Sequence, residues 1–255
     1  MQTTKDNPLT GNIQVSQFIG SLAIVPTAVI CVAGGAAEEV GFFADIPSEA
    51  ISNCMTKNYL TSALIAQAVL KRWISEPAPT PTQPPIPRHL IFTASTAALV
   101  NVPGYAAYSP TKAALRCLTD SLRQEVLMYH ATADIKVHCS FPGTIYTESF
   151  YKEQDMKPRL CKEIEGTLEN EGGMSAEAVS SSILAGLEQG QAYLTSDFQT
   201  RLLLNNMRGP SPLDSPLVDW LLGFLMSLIW PFIRWQMDRK VCQHKPQSGL
   251  KHSMQ

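Results

Sequence analysis

Residues 89–112 read HLIFTASTAALVNVPGYAAYSPTK, and this stretch decides the fold. The apolar run that ends at Ser95 predicts a buried strand over 89–95. Tyr108 and Lys112, at the start of a predicted helix, are four residues apart and therefore lie on one helical face. In open α/β sheets, ligands bind at the carboxyl ends of the strands, which is where we expect the Ser95 hydroxyl.

The pairing of a tyrosine with a lysine has a chemical consequence. An ammonium beside a phenol stabilises the phenolate, so Lys112 is expected to lower the pKa of Tyr108. Tyr108 would then exchange a proton near neutral pH. A single Tyr-x-x-x-Lys also fits an ordinary surface helix, so the interpretation depends on the other motifs of the chain.

Those motifs follow in a fixed order along the sequence. They are Ala33-Gly34 after the apolar run 27–32, Asn58 in a predicted helix, Pro142-Gly143 after the predicted strand 135–141, and Thr147. Together with Ser95, Tyr108 and Lys112, this order resembles the short-chain dehydrogenase/reductases from about residue 24 to about residue 210. One departure is Val32, where that family usually has asparagine.

The resemblance implies a role for each motif. The implied catalytic residues are Ser95, Tyr108, Lys112 and Asn58. The implied cofactor-binding residues are Ala33, Gly34, Tyr108, Lys112, Pro142, Gly143 and Thr147. By resemblance, Tyr108 protonates the forming alkoxide and Ser95 hydrogen-bonds the carbonyl oxygen. Lys112 holds the ribose hydroxyls of NADP(H), and Asn58 positions a water that relays protons to Lys112.

The remaining pattern predicts an α/β protein with a Rossmann-like, doubly wound parallel sheet. Predicted strands at 27–32, 89–95, 135–141 and 192–196 alternate with predicted helices at 48–74, 111–129 and 175–189. The Gly-x-x-x-Gly-x-Gly turn that opens such a fold does not occur in the sequence. We therefore expect a sheet that is incomplete at its N-terminus, with 27–32 as an apolar edge strand. An incomplete gene model or a splice form is the favoured explanation, and the alternative is a real fragment with impaired activity.

The predicted organisation has four parts. An irregular segment covers 1–23, the partial Rossmann-type domain covers 24–212, a hydrophobic membrane-associating segment covers 213–241, and a polar tail covers 242–255. The uncharged run 7–37 is interpreted as a buried strand, with a signal anchor as the alternative. The proline-rich stretch 76–88 predicts an exposed loop. The charged stretch 148–171 predicts a mobile flap beside the active site or a solvated helix.

Two stretches narrow the resemblance further. Residues 141–150 and 192–213 are similar to fungal 3-ketodihydrosphingosine reductases. The implied function is NADPH-dependent reduction of 3-ketodihydrosphingosine to dihydrosphingosine, with a long-chain keto-sphingoid lipid as substrate. The alternatives are a membrane-associated short-chain dehydrogenase for a steroid or retinoid, and a truncated relative without catalytic activity.

Residues 220–233 are uncharged and are expected to associate with the endoplasmic reticulum membrane. As a helix they would reach only about 21 Å, less than the ~30 Å of a hydrocarbon core, which favours an interfacial or re-entrant segment. The basic residues that follow favour a cytosolic catalytic part. The alternative is a helix buried in the core or in a dimer.

Composition excludes some classes of function. The net charge of −2 gives no reason to expect nucleic acid, and the five histidines lack metal-ligand spacing.

A homodimer through two long helices is possible by resemblance to the family.

Overall fold

A computed structural model describes residues 8–37, 39–77, 86–165 and 172–244, with side chains from residue 14 onward. Its strands are β1 (Ala28–Cys31), β2 (Arg88–Thr93), β3 (Ile135–Phe141) and β4 (Tyr193–Thr195). They form one sheet in the order β1-β2-β3-β4, and every neighbouring pair is parallel. The predicted parallel α/β sheet is confirmed.

The strands form over short stretches of the sequence that each contain at least one buried hydrophobic residue. Leu90, Ile91 and Phe92 of β2 are all buried, as expected for a parallel strand covered on both faces. Among the described strands β1 lies at one edge of the sheet, so the predicted edge position is also confirmed. Ile30 within β1 is 53% exposed, which leaves an apolar edge open.

The helices surround this sheet. They are α1 (Pro8–Ser21), α2 (Ser48–Met55), α3 (Thr61–Ile74), α4 (Ser109–Glu125), α5 (Glu148–Met156), α6 (Arg159–Glu165), α7 (Ala176–Glu188), α8 (Phe198–Met207) and α9 (Pro216–Gln243). A π-helical turn, Thr56–Leu60, joins α2 to α3. Ser175 caps α7, because its side chain accepts a hydrogen bond from the Ala178 N–H.

The core lies between the sheet and α3 and α4. Its largest fully buried side chains include Trp73, Phe92, Leu115, Phe141 and Tyr193. The Trp73 indole N–H donates to the Pro26 carbonyl at 2.8 Å, so this large ring is both packed and hydrogen-bonded. This contact fixes α3 against the chain entering β1.

The prediction of an irregular segment over 1–23 is wrong for residues 8–21, which form α1. Proline is compatible with the first turn of a helix, where Pro8 stands. Val15 and Ile19, four residues apart on one helical face, are partly buried, and Ile19 packs against the main core. The uncharged run 7–37 is therefore divided between α1 and β1 and is not one continuous span.

The apolar C-terminal element is longer than its uncharged part suggests. Helix α9 has 28 residues, which at about 1.5 Å each give about 42 Å, more than a ~30 Å hydrocarbon core requires. Of the described helices, α9 is the one long and apolar enough to cross a membrane, with a mean hydropathy of 1.7 in its most apolar window. The uncharged part, residues 220–233, covers only about 21 Å of this helix, so the interfacial or re-entrant placement stays a prediction.

Helix α9 is not a core helix of this chain. Only Asp219 and Met226 are buried along it. The Asp219 carboxylate lies 3.2 Å from the Arg201 guanidinium and 3.3 Å from that of Arg208, and it accepts the Ser215 N–H at 2.9 Å. These contacts hold the start of α9 against α8 and leave the apolar length of α9 exposed.

Parts of the predicted segments lie outside the described residues. They are 1–7 of the N-terminal segment, 78–85 of the proline-rich loop, 166–171 of the charged stretch and 245–255 of the polar tail.

Candidate active site

The carboxyl ends of the parallel strands bring the predicted site residues to one edge of the sheet. Ala33 and Gly34 follow β1, Ser95 follows β2, and Pro142 and Gly143 follow β3. The predicted placement of Ser95 at this edge is confirmed. Because parallel strands all end on the same side, residues far apart in sequence meet here.

Tyr108, the N-cap of α4, and Lys112 in the first turns of that helix lie on one side of it, as predicted. The Lys112 ammonium lies 5.6 Å from the centre of the Tyr108 ring. Lys112 is buried, and its ammonium donates a hydrogen bond to the Thr93 carbonyl at 2.9 Å. An ammonium has three N–H donors, and Thr93 is the one acceptor that the described residues supply.

Ser95 is held between a backbone donor and the phenol. Its hydroxyl oxygen accepts the Ala97 N–H at 3.1 Å, which caps a short 3₁₀ turn. Its side chain also lies close enough to the Tyr108 phenol to lower the pKa of that phenol. The serine and the tyrosine are therefore neighbours at the sheet edge.

The protonation of Tyr108 differs from the expectation. Burial raises the pKa of the phenol, the hydrogen bond with Ser95 lowers it, and the charge of Glu153 raises it again. The net result is a pKa above the ordinary value, so the predicted lowering by Lys112 is wrong for this structure. Lys112 is itself desolvated, and burial lowers its pKa to about 8. Tyr108 is consequently a phenol at neutral pH and suited to donate a proton.

The buried Lys112 leads to a stability prediction. With a folded-state pKa of about 8, its charge costs the folded state roughly 3 kcal/mol at pH 7 relative to the ordinary lysine pKa of about 10.4. Lys112→Met removes this cost and loses one hydrogen bond worth about 1 kcal/mol. We expect Lys112→Met to be more stable than the wild type at pH 7, by about 1–2 kcal/mol.

The sign of the pH dependence makes this prediction testable by urea unfolding. Between about pH 8 and pH 10 the unfolded chain holds more protons at Lys112 than the folded protein does, so wild-type stability rises with pH. The advantage of Lys112→Met should therefore shrink from pH 7 to about pH 9.5. An advantage that stays constant over this range, or a variant less stable at pH 7, would contradict the account.

Asn58 holds the turn after β1. It is fully buried in the π-helical turn between α2 and α3. Its Oδ1 accepts the Gly35 N–H at 2.8 Å, and its Nδ2 donates to the Gly35 carbonyl at 3.0 Å. Gly34 has a φ of +143°, and a Cβ there would overlap Asn58 Oδ1 and lie 3.4 Å from Lys112 Nζ. This two-point contact is a role of Asn58 that the sequence did not reveal, and the predicted water relay stays a prediction.

The predicted residues after β3 make structural contacts at the same edge. The Pro142 carbonyl accepts the Thr96 N–H at 3.0 Å, and the Gly143 N–H donates to Ser196 Oγ at 3.4 Å. The Thr147 hydroxyl accepts the Phe150 N–H at 3.2 Å and caps α5. Their predicted contacts with a nicotinamide stay predictions.

One residue that the sequence analysis did not select also lies at this edge. Asp197 follows β4, caps α8 through the Thr200 N–H at 2.8 Å, and accepts the Ser196 hydroxyl at 2.7 Å. The signal was present, because an aspartate directly before an apolar helical run is a favoured N-cap.

The charged stretch predicted as a flap lies beside Tyr108 as two packed helices. Phe150 and Gln154 of α5 and Leu160 and Cys161 of α6 are buried. Cys161 and Tyr105, which precedes α4, belong to a second hydrophobic cluster that is separate from the main core. Tyr108 packs against this second cluster. As far as Glu165 the stretch is thus neither a loop nor a fully solvated helix.

Comparison with known proteins identifies the family. The model of the short chain dehydrogenase family matches residues 14–158. The 3-ketodihydrosphingosine reductase ksrA of Aspergillus fumigatus is 37% identical over 81% of this chain and 58% of its own length. The 3-ketodihydrosphingosine reductase gsl-3 of Neurospora crassa is 34% identical over 88% of this chain and 60% of its own length. A PIGF/3-ketodihydrosphingosine reductase fusion protein of Schizosaccharomyces pombe is 31% identical over 95% of this chain and 46% of its own length.

The chain thus spans about half the length of the curated relatives it matches, between 46% and 60% for these three.

Solved structures agree on the fold. A short chain dehydrogenase from Burkholderia cenocepacia, in complex with NADP, is 19% identical with a TM-score of 0.59, covering 80% of this chain and 73% of that one. A 3-oxoacyl-[acyl-carrier protein] reductase from Brucella melitensis, in complex with NAD, is 20% identical with a TM-score of 0.57, covering 77% and 75%. With its parallel sheet, its shared Tyr108–Lys112 face and the family match over more than half its length, this chain belongs to the short-chain dehydrogenase family.

Proposed function

We propose that this protein reduces 3-ketodihydrosphingosine to dihydrosphingosine with a nicotinamide cofactor, and that the cofactor is NADPH. The observation that carries the proposal is the grouping of Ser95, Tyr108 and Lys112 at the carboxyl edge of the sheet. The substrate is inferred from the printed names of the relatives, which are 3-ketodihydrosphingosine reductases.

The roles of the residues follow from their contacts. Reduction adds a hydride to the ketone carbon and a proton to its oxygen. The Tyr108 phenol, protonated at neutral pH, donates that proton. The Ser95 oxygen already accepts the Ala97 N–H, so its own proton can be donated to the substrate oxygen as negative charge develops there.

The residues at this edge of the sheet fit the half of a nicotinamide cofactor that carries the nicotinamide and its ribose. The Lys112 ammonium has two donors beyond the bond to Thr93, and they suit the hydroxyls of a ribose. The bare backbone at Gly34 lets a ligand approach, because a side chain there would fill the space beside Asn58 and Lys112. The cofactor, when bound, supplies the hydride. The described residues contain no glycine-rich turn between a strand and a helix that would hold its phosphates.

Helix α9 supports a membrane location, and we propose the endoplasmic reticulum membrane with the catalytic part on the cytosolic side. Its exposed apolar side chains are Leu217, Val218, Trp220, Leu221, Phe224, Leu225, Leu228, Ile229, Phe232, Trp235 and Val241. Arg234, Arg239 and Lys240 lie at its C-terminal end, and basic residues favour the cytosolic side. A long-chain ketone dissolves in the same bilayer, so substrate and enzyme would meet there. The homodimer suggested by the resemblance stays a prediction.

A substrate panel tests the function. The purified 255-residue chain in detergent micelles is given NADPH or NADH with 3-ketodihydrosphingosine, a steroid ketone or retinal. We expect oxidation of NADPH to depend on the ketosphingoid, with kcat/KM about tenfold or more above that for the steroid ketone or for retinal. Reduction of a steroid or of retinal in preference would reassign the substrate, and no turnover of any ketone would contradict the proposed function for this chain.

A further inference from the structure

A buried lysine joins the two helices that cover the active-site tyrosine. Lys157, at the end of α5, has a side chain only 2% exposed. Its ammonium lies 2.6 Å from the Glu165 carboxylate of α6 and 3.2 Å from the Glu153 carboxylate of α5. A buried ammonium that loses such partners is strongly destabilised, so these contacts determine where the two helices lie.

Tyr105 connects this ion cluster to Tyr108. The Tyr105 hydroxyl donates to the Glu153 carboxylate and lies 3.3 Å from that of Glu165. The Tyr105 ring is 5.4 Å from the Lys157 ammonium and 5.7 Å from the Tyr108 ring, between ring centres in the second case. Its carbonyl accepts the N–H groups of Tyr108, at 3.0 Å, and Ser109, at 2.8 Å. The side chain and backbone of Tyr105 therefore both contact the segment that carries the phenol.

We propose that Lys157 is a positioning residue for Tyr108, acting through the two carboxylates and Tyr105. The inference rests on the proposed role of Tyr108 as proton donor. Lys157 itself touches neither the substrate carbonyl nor the phenol. It holds the carboxylates, they hold the Tyr105 hydroxyl, and the Tyr105 ring limits where the Tyr108 ring can lie.

The charges around Tyr108 give the proposal a distinctive signature. The ionisable groups that pack against the phenol or act on it electrostatically are Tyr105 from the turn before α4, Lys112 from α4, Cys54 from α2, Glu153 from α5 and Glu165 from α6. Burial alone would lower the pKa of Lys157, but Glu165 and Glu153 outweigh burial and raise it, so Lys157 stays charged at working pH. We expect the loss of this nearby cation to raise the pKa of Tyr108 further, and the loss of the Glu153 charge, which raises that pKa in the folded protein, to lower it.

Two substitutions and a matched control test the proposal. Lys157→Met removes the cation and Glu153→Gln removes one carboxylate. Lys152→Met is the control, because Lys152 also lies on α5 and pairs with Glu148 at the same spacing, but its side chain is 68% exposed. Lys157→Arg, which keeps the charge, should restore most of the activity lost in Lys157→Met.

We expect Lys157→Met to lower kcat about tenfold or more with KM within about twofold of wild type, because the phenol is misplaced while substrate contacts stay. In the reverse oxidation, the rise of rate with pH should move to higher pH in Lys157→Met and to lower pH in Glu153→Gln. Lys152→Met should match the wild type in both measurements. A purely structural role predicts parallel losses in the two variants with unmoved pH profiles, and that result would overturn the proposal.

A readout without turnover keeps this test separate from the proposed function. 3-Fluorotyrosine is incorporated at position 108, and its fluorine NMR signal is recorded for each variant together with the thermal midpoint. The signal should move by more than its linewidth in Lys157→Met and stay in place in Lys152→Met. If the wild type turns over no ketone, the proposed function fails and the fluorine signal alone decides the positioning role. If Lys157→Met does not fold, Glu153→Gln decides with the same readouts, and an unmoved signal overturns the proposal.

Discussion

Tyr108→Phe is expected to lower the rate of ketone reduction about 10³-fold while leaving the fold intact. The substitution removes only the hydroxyl that donates the proton, and the ring keeps its packing against Tyr105 and Lys112. Turnover at saturating ketone measures the first effect. Urea unfolding measures the second, which should stay within about 1 kcal/mol of wild type, the range for one lost hydrogen bond.

The matched control is Tyr151→Phe. Tyr151 lies on α5 near the site, but it is 54% exposed. We expect this variant to keep wild-type turnover, since a surface hydroxyl contributes little. Turnover retained in Tyr108→Phe, or lost equally in both variants, would show that Tyr108 is not the proton donor.

Gly34→Ala is expected to have the largest effect on the fold of the site. A Cβ at Gly34 would overlap Asn58 Oδ1, and the φ of +143° is strained for any residue with a side chain. Asn58 would have to leave a fully buried position where it makes two hydrogen bonds to Gly35. We expect a loss of about 3 kcal/mol in the free energy of unfolding, combining backbone strain with unpaired buried groups.

Gly35→Ala separates strain from overlap. Gly35 also has a positive φ, +153°, but a Cβ there meets no atom within 4 Å. Gly35→Ala should lower the free energy of unfolding only by the backbone strain, about 1 kcal/mol, and leave Asn58 in place. Urea unfolding and an NADPH titration of both variants make the comparison, and equal losses would show that the Asn58 contact is unimportant.

The sequence alone was sufficient to predict the strands that are covered on both faces of the sheet. The apolar runs around Ile91 and Val137 are long enough and β-branched enough to predict parallel strands, and the edge position of β1 followed from strand order. The meeting of Ser95 and Tyr108 was predictable too, because parallel strands end on one side of a sheet. Local pattern and topology agree in these places.

Other features depend on contacts that sequence spacing does not encode. Among the described side chains of α1, which begin at residue 14, Val15 and Ile19 are the ones that are partly buried, and two positions are too few to show a helical period. The pKa of Tyr108 is raised by burial, lowered by Ser95 and raised again by Glu153, which lies 45 residues further along the chain. The contact of Asn58 with Gly35 likewise requires the turn after β1 to be folded.

Hydride transfer by this chain is the most direct test of the account. The purified wild type and Tyr108→Phe are each incubated with 3-ketodihydrosphingosine and NADPH that carries deuterium at C4 of the nicotinamide. Mass spectrometry then locates the deuterium in the product. We predict dihydrosphingosine with deuterium on C3 from the wild type and almost none from Tyr108→Phe. Equal labelling in both proteins, or no labelled dihydrosphingosine from the wild type, would contradict the central claim.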